Sequence, residues 1–129
     1  MTKWLAFAQR KHCHHREALL NLGYINWTMY HTNFKIGDIV YLFMSDERKV
    51  CFKTIVVEEE SDRTDINYWQ IQPNMHHMYK LELMKEYCGD KLTEEELAKH
   101  GFRGGKSLQH PIKNNKELMK YIDDVFIEE

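Results

Sequence analysis

The chain has no long apolar run, few cysteines and no recognisable export signal. Its 129 residues are 43% hydrophobic and 29% charged, as is usual for a globular protein, and no stretch approaches the ~20 apolar residues that span a bilayer. Its three cysteines, Cys13, Cys51 and Cys88, form neither an even set nor a Cys-x-x-Cys pair, which favours a reducing compartment. We therefore expect a cytoplasmic protein that does not associate with membranes.

Linker-like segments and internal repeats are also missing. The two prolines and six glycines are scattered along the chain and form no flexible tract. A length of 129 residues is enough to bury a core without disulfides or metals. The sequence predicts a single domain over residues 1–129.

The common catalytic motifs are absent. There is no Gly-x-Ser-x-Gly elbow, no Gly-x-x-x-x-Gly-Lys-[Ser/Thr] loop, no Gly-x-Gly-x-x-Gly and no His-Glu-x-x-His. The acidic run at 58–60 is typical of a solvated strand end, and Cys51 lies in a predicted buried strand, where a cysteine acts as a small apolar side chain. We predict no catalytic residue and no cofactor, and a binding module is favoured over an enzyme.

Charge is distributed unevenly. The formal net charge of −2 argues against strong polyanion binding through bulk charge. Between residues 99 and 120 the only acid is Glu117, and the cations are Lys99, Arg103, Lys106, Lys113, Lys116 and Lys120. Acids cluster instead at 58–65 and 123–129. One surface is expected to be locally basic; the alternative is that these charges only solvate loops and a helix.

Against these absences stands one strongly patterned segment. Gly37-Asp38 predicts a turn, and the β-branched and aromatic residues that follow, up to Ser45, are typical of a strand buried on both faces. Such a strand belongs in the core of a small barrel. Alternation and turn residues predict further strands at 3–8, 24–27, 50–58, 66–72 and 77–87.

Helices are predicted between and after these strands. One covers about 16–22 and ends at Gly23. Thr93 and Glu96 form a capping box for a short helix that ends near Gly101. A third begins at Asn114 or Asn115 and carries an apolar stripe at three- and four-residue spacings: Leu118, Met119, Ile122, Val125 and Phe126. The expected fold is α+β, a curved mixed or antiparallel sheet with helices packed outside.

The ordered set of these segments resembles a known family. Gly-Tyr-Ile-Asn-Trp at 23–27, Phe-Lys-Ile-Gly-Asp-Ile-Val-Tyr-Leu-Phe-Met-Ser at 34–45, Tyr-Lys-Leu-Glu-Leu at 79–83, and Gly-Phe-Arg to Ser-Leu-Gln-His-Pro at 101–111 are similar to the EVE-like branch of the PUA superfamily, which is related to YTH and ASCH domains. The similarity extends from Trp4 to Phe126, and residues 61–77 match nothing in it. It implies a PUA-like pseudo-barrel of mixed and antiparallel strands with flanking helices.

The resemblance also implies a function. It predicts a reader module that binds nucleic acid, DNA or RNA, and holds one modified base in an aromatic cage, in proteins often linked to restriction or defence. Aromatic faces stack on such a base, and its methyl group replaces water against apolar walls. The expected cage residues are Asn26, Trp27, Ser45, Tyr68, Trp69 and Tyr79. The alternative for Trp27 is a core position beneath the helix.

A second set of residues is expected to hold the nucleic-acid backbone. Adjacent glycines let backbone amides approach a phosphate, and flanking cations add charge. The expected residues are Arg103, Gly104, Gly105, Lys106, Ser107 and Gln109. The alternative is a solvated loop whose charge is incidental.

Two other functions stay open at this point. One is a small enzyme of the ASCH-like type, a nuclease or hydrolase that uses a lysine, a tyrosine or a metal. Four potential ligands are consecutive at 12–15, His-Cys-His-His, but zinc ligands are usually two to four residues apart, so we predict no metal site. The other is a protein-interaction domain whose pocket is filled, which the lack of a cavity beside Trp27 would favour.

Overall fold

The computed structural model describes residues 1–29, 32–102, 109–111 and 115–128. It is a mixed α+β fold. The strands are β1 (Lys3–Ala8), β2 (Tyr24–Thr28), β3 (Ile39–Met44), β4 (Lys49–Ser61), β5 (Met78–Glu86) and β6 (Gln109–Pro111). The helices are α1 (His15–Leu22), α2 (Glu94–Ala98) and α3 (Lys116–Glu128), and a 3₁₀ turn covers Ile66–Tyr68.

The strands form one curled sheet that makes a half-barrel. Their order is β2-β5-β4-β3-β1-β6, so β2 lies at one edge of the sheet. β1 and β3 are parallel, and the remaining neighbours are antiparallel. The sheet is therefore mixed and closely curved, which is compatible with a pseudo-barrel.

Strand β3 separates two hydrophobic cores. All six of its residues are buried, and because side chains alternate along a strand, alternate residues enter different cores. The first core contains Ile39, Tyr41 and Phe43 together with α3 residues such as Ile122. The second contains Val40, Leu42 and Met44 together with α1 residues. This two-sided burial is what the uninterrupted apolar run predicted.

The turn before β3 is built as the sequence suggested. Gly37 has a φ of 93°, a left-handed conformation that glycine adopts without steric cost. The carboxylate of Asp38 accepts hydrogen bonds from the backbone N–H of Lys35 and Thr2, each at 2.9 Å. It also accepts one from the indole N–H of Trp4 at 2.9 Å. Asp38 thus ties the turn to the first strand.

Most of the predicted elements are confirmed within a few residues. The capping box of α2 is present, since the Thr93 hydroxyl accepts from the Glu96 N–H at 3.3 Å. Asn115 accepts from the Leu118 N–H at 3.0 Å at the start of α3. Four members of the predicted stripe are buried: Leu118, Ile122, Val125 and Phe126. The predicted antiparallel pairing of β3 with β4 is also found.

The predicted strand over 66–72 is wrong. This segment starts with the 3₁₀ turn, and only Trp69 forms an isolated bridge, to Cys13. Asp65 causes the bend, because its side chain is bonded to groups on both sides of it along the chain. Ile66 and Ile71 remain exposed, so the alternation at 66–72 did not mark a buried strand face.

Within the described ranges, none of the helices is long and apolar enough to cross a membrane. Cys13, Cys51 and Cys88 are all free thiols. Burial raises the pKa of Cys51 to about 11, which keeps this thiol protonated and unreactive, as expected for a cysteine in a buried strand.

Candidate functional site

Two of the predicted cage residues contact one histidine at the side of the second core, and a third packs against the same core. We call Trp27, Tyr68, Trp69 and His15 the aromatic cluster. The imidazole of His15 lies 5.7 Å from the ring of Trp27 and 6.0 Å from that of Trp69. Tyr68 packs against the same core. The histidine ring is therefore a neighbour of both indoles.

His15 is held there by its position as the first residue of α1. It is 5% exposed, and its Nδ1 atom has no hydrogen-bond partner. Burial, reinforced by the positive charge of Arg63, lowers the pKa of His15 to about 4. The imidazole is thus neutral at pH 7 and carries an unpaired ring nitrogen. Sequence reasoning grouped His15 with a metal hypothesis and missed this position.

The side chain of Asn26, predicted to bind a base, is bonded within the protein. It is buried, and its side-chain oxygen accepts hydrogen bonds from the backbone N–H of Thr64 at 2.8 Å and of Asp65 at 3.1 Å. The Thr64 hydroxyl lies 3.3 Å from the same oxygen. Asn26 fixes the segment that leads to the 3₁₀ turn, and in this arrangement its carbonyl oxygen is used by the protein itself.

A buried ion pair orients Trp69. Arg63 and Asp65 are joined at 2.7 Å, with their side chains 2% and 0% exposed. Asp65 accepts from the Trp69 indole N–H at 3.0 Å, and the Arg63 guanidinium lies 4.1 Å from the Trp69 ring centre. The charge is satisfied by both a carboxylate and an aromatic face. Sequence reasoning missed both residues, because a charged pair two positions apart resembles any solvated loop.

The predicted cage residues differ in exposure, and Tyr79 and Ser45 are not part of the aromatic cluster. Tyr79 is 2% exposed and contacts the ring of Phe34 at 5.0 Å, so its ring is part of the core. Trp27 is 8% exposed and belongs to the second core, as the alternative of a core position beneath the helix expects. Ser45 follows β3, and its hydroxyl accepts from the Arg10 N–H at 3.0 Å. Tyr68 and Trp69 are the partly exposed aromatic members of the predicted set, and Ser45 is also partly exposed.

The predicted backbone-binding residues fall mostly outside the described part of the chain. The described part does not include Arg103, Gly104, Gly105, Lys106 or Ser107. Gln109 begins β6, opposite Ala6 of β1 in an antiparallel pair. The Gln109 end of β6 therefore lies at the end of the sheet where β1 finishes at Ala8. The segment that leaves β1 there reaches the aromatic cluster through the bridge between Cys13 and Trp69.

A groove of about 520 Å³ opens beside the end of β2. Its lining residues are Thr28, Met29, Asn74, Met75, His76 and His77. None of the predicted cage residues lines this groove. It is therefore a feature that sequence reasoning did not anticipate.

The consecutive ligands at 12–15 do not converge. Within the part of the chain that the structure describes, no three His, Cys, Asp or Glu side chains are placed to hold a metal ion. Burial raises the pKa of Cys13 to about 12, and a thiol must lose its proton to bind zinc. The described residues therefore give the metal-dependent alternative no site.

The chain was also compared with known proteins. A scan of the chain against models of protein families finds no match, and a search of curated proteins finds no relative.

Proposed function

We propose that this protein is an EVE-like domain with a PUA-like pseudo-barrel, and that it binds nucleic acid by holding a single, modified base at the aromatic cluster. The observation that supports this proposal is the contact of two indoles with one buried imidazole, next to a phenol that packs against the same core. Flat aromatic rings stack on a nucleobase.

The two partly exposed rings are the proposed stacking surface. Trp69 is fixed by Asp65 and Arg63, so little side-chain entropy is lost when a base stacks on it. Tyr68 precedes it on the same 3₁₀ turn. Trp27 and His15, both buried, lie behind this surface and support it. Unstacking a base from its neighbours costs a few kcal/mol, which stacking on the two partly exposed rings must return.

The basic segment at 99–120 is the proposed contact to the nucleic-acid backbone. The start of β6 at Gln109 lies at the end of the sheet from which the chain continues to the aromatic cluster. Arg103 and Lys106 precede this strand by a few residues in the sequence. We propose that the phosphates next to a base held at the cluster contact this segment. The free cysteines suit a cytoplasmic location.

The test is binding of short single-stranded DNA and RNA oligonucleotides with and without a methylated base. We expect tighter binding to a modified oligonucleotide, measured by tryptophan fluorescence and by calorimetry. Trp69→Ala should weaken this binding about 5- to 150-fold, since stacking of one base contributes ~1–3 kcal/mol. Equal affinity for plain and modified strands would show that the protein does not select a modified base. No binding to either kind of strand would refute nucleic-acid binding as the function.

A matched variant separates stacking from folding. Trp4→Phe alters a tryptophan whose indole is bonded to Asp38 near the first turn, away from the cluster, and should leave oligonucleotide affinity unchanged. Trp69→Phe keeps a flat ring and should retain most of the affinity that Trp69→Ala loses. Thermal unfolding of each variant shows which of them keep the native fold.

A further inference from the structure

The groove beside the end of β2 has the size and lining of a binding site. Its volume of about 520 Å³ lies within the range of ~300–1,000 Å³ that ligand sites occupy. The walls include the thioethers of Met29 and Met75, the latter 37% exposed. Methionine side chains are flexible and polarizable, and they adapt to varied apolar partners. The groove is thus suited to a mostly apolar group.

The wall at 74–77 is anchored on two sides. Arg63 donates from its side chain to the Asn74 carbonyl at 2.6 Å and from its backbone N–H to the Met75 carbonyl at 2.8 Å. The Met29 N–H donates to the His77 carbonyl at 3.0 Å. These bonds connect the wall to β2 and to the segment after β4. The wall at 74–77 is therefore bonded to both neighbouring segments.

Two left-handed residues face each other at the rim. Glu60 has a φ of 53° and His77 a φ of 64°, a conformation that few residues other than glycine adopt. Their side chains meet at 2.7 Å between Glu60 Oε2 and His77 Nδ1. Strained backbone of this kind clusters at ligand-binding sites.

The rim is acidic. The exposed carboxylates of Glu60 and Asp62 contact His77 and His76, which line the groove, and the exposed Glu59 precedes Glu60 in the chain. In the described residues the ion-pair partners of Glu60 and Asp62 are His77 and His76, which are charged only when protonated. A lysine or arginine side chain of a bound ligand would supply a full positive charge in place of these histidines. The aliphatic part of that side chain would lie on the methionines, and its charged end would reach the carboxylates.

We propose that this groove binds a short segment of a partner protein that carries alternating basic and apolar side chains. Charge complementarity selects this occupant, because a phosphate backbone would be repelled by the same carboxylates. The proposal is independent of the base-binding function, since none of the groove's lining residues belongs to the aromatic cluster.

The test uses the full chain labelled with ¹³C-methyl methionine and the peptide acetyl-Lys-Leu-Lys-Leu-Lys-amide as probe. We expect saturable shifts of the Met29 and Met75 methyl signals. Met44 is buried in the second core and Met84 is exposed on β5, and their signals should stay in place. No shift at Met29 and Met75, or equal shifts at all four methionines, would overturn the proposal.

Variants test the role of charge. Glu60→Gln and Asp62→Asn should each weaken peptide binding about two- to fivefold, as expected for exposed ion pairs, and Glu95→Gln on α2 should have no effect. The peptide acetyl-Glu-Leu-Glu-Leu-Glu-amide should not bind. If this acidic peptide, or an oligonucleotide, shifts the same methyl signals as strongly, the groove does not select a basic segment.

Discussion

At the scale of single residues, His15 combines burial with an unpaired polar atom. A buried polar group without a hydrogen bond costs roughly 1–3 kcal/mol, and the ring makes up part of this cost through contacts with two indoles. The pKa of about 4 has a second consequence, for stability. Between pH 4 and pH 6.5, His15 binds a proton more readily in the unfolded chain than in the folded protein.

The unfolding free energy should therefore depend on pH through His15. Because the pKa falls from 6.5 in the unfolded chain to about 4 in the folded protein, the stability due to this residue is full above pH 6.5 and falls as the pH drops towards 4. The loss amounts to roughly 3 kcal/mol by linkage. His15→Phe keeps a ring in contact with the indoles and should remove this part of the pH dependence, as measured by urea unfolding from pH 7.5 to 4.

The comparison at pH 7.5 serves as the control for packing. There both proteins carry an uncharged ring at position 15, so any difference in stability reflects shape and the unpaired nitrogen alone. A variant whose stability falls with acid as steeply as that of the parent chain would show that His15 is not buried in the neutral form.

At the scale of elements, the segment at 63–65 protects the edge of the sheet. The outer backbone groups of Asn26 are both engaged: its N–H donates to Asp65 at 2.9 Å, and its carbonyl accepts from Arg63 at 3.3 Å. An uncovered edge strand offers such groups to other chains. The ion pair thus covers the middle of β2, and the same pair orients Trp69.

Asp65→Asn should destabilise the protein strongly. It leaves the buried guanidinium of Arg63 without a counter-charge, which costs ~3–5 kcal/mol when one partner of a buried pair is removed. Arg63→Met should have a similar effect, and the double variant should lose much less than the sum of the two. Denaturant unfolding of the four proteins measures this coupling, and strictly additive losses would contradict it.

The elements also show how far local sequence signals reach. α3 was predictable because its stripe repeats every three to four residues and Asn115 caps it, both of which depend only on neighbours along the chain. The strand over 66–72 was mispredicted because its apolar residues alternate while Asp65 bonds to residues brought near by folding. A contact between residues 39 positions apart leaves no periodic trace in the sequence.

At the scale of the whole molecule, one sheet carries two cores and couples them. Ile122 on α3 belongs to the first core, whereas Trp4 and Trp27 pack with the second. Trp69 lies on the second side too, through its contact with His15. The three tryptophans therefore report on the side of the sheet opposite to α3. Tyr41, fully buried, donates to Asp123 and ties α3 to β3.

Ile122→Ala should shift unfolding on both sides of the sheet equally. Ile122 is 0% exposed, so the substitution should cost ~2–5 kcal/mol. If residues 1–129 are one cooperative domain, the midpoints measured by tryptophan fluorescence and by far-ultraviolet circular dichroism will coincide. Ile127→Ala, at a 75% exposed position of the same helix, should change stability by less than about 0.5 kcal/mol. Separate midpoints in Ile122→Ala would show that the cores unfold independently.

The amino-acid sequence by itself determined the α+β class, the paired strands β3 and β4, the Asp38 turn and the capped helices, because each depends on periodicity or on partners close in the chain. Tertiary structure alone decided that His15 contacts both Trp27 and Trp69, that Asn26 and the Arg63–Asp65 pair hold the loop over β2, and that a groove opens beside Met29. These features form only when the curled sheet brings distant segments together and excludes water from them. Burial can then lower the pKa of His15, and the charges of Arg63 and Asp65 can pair away from water.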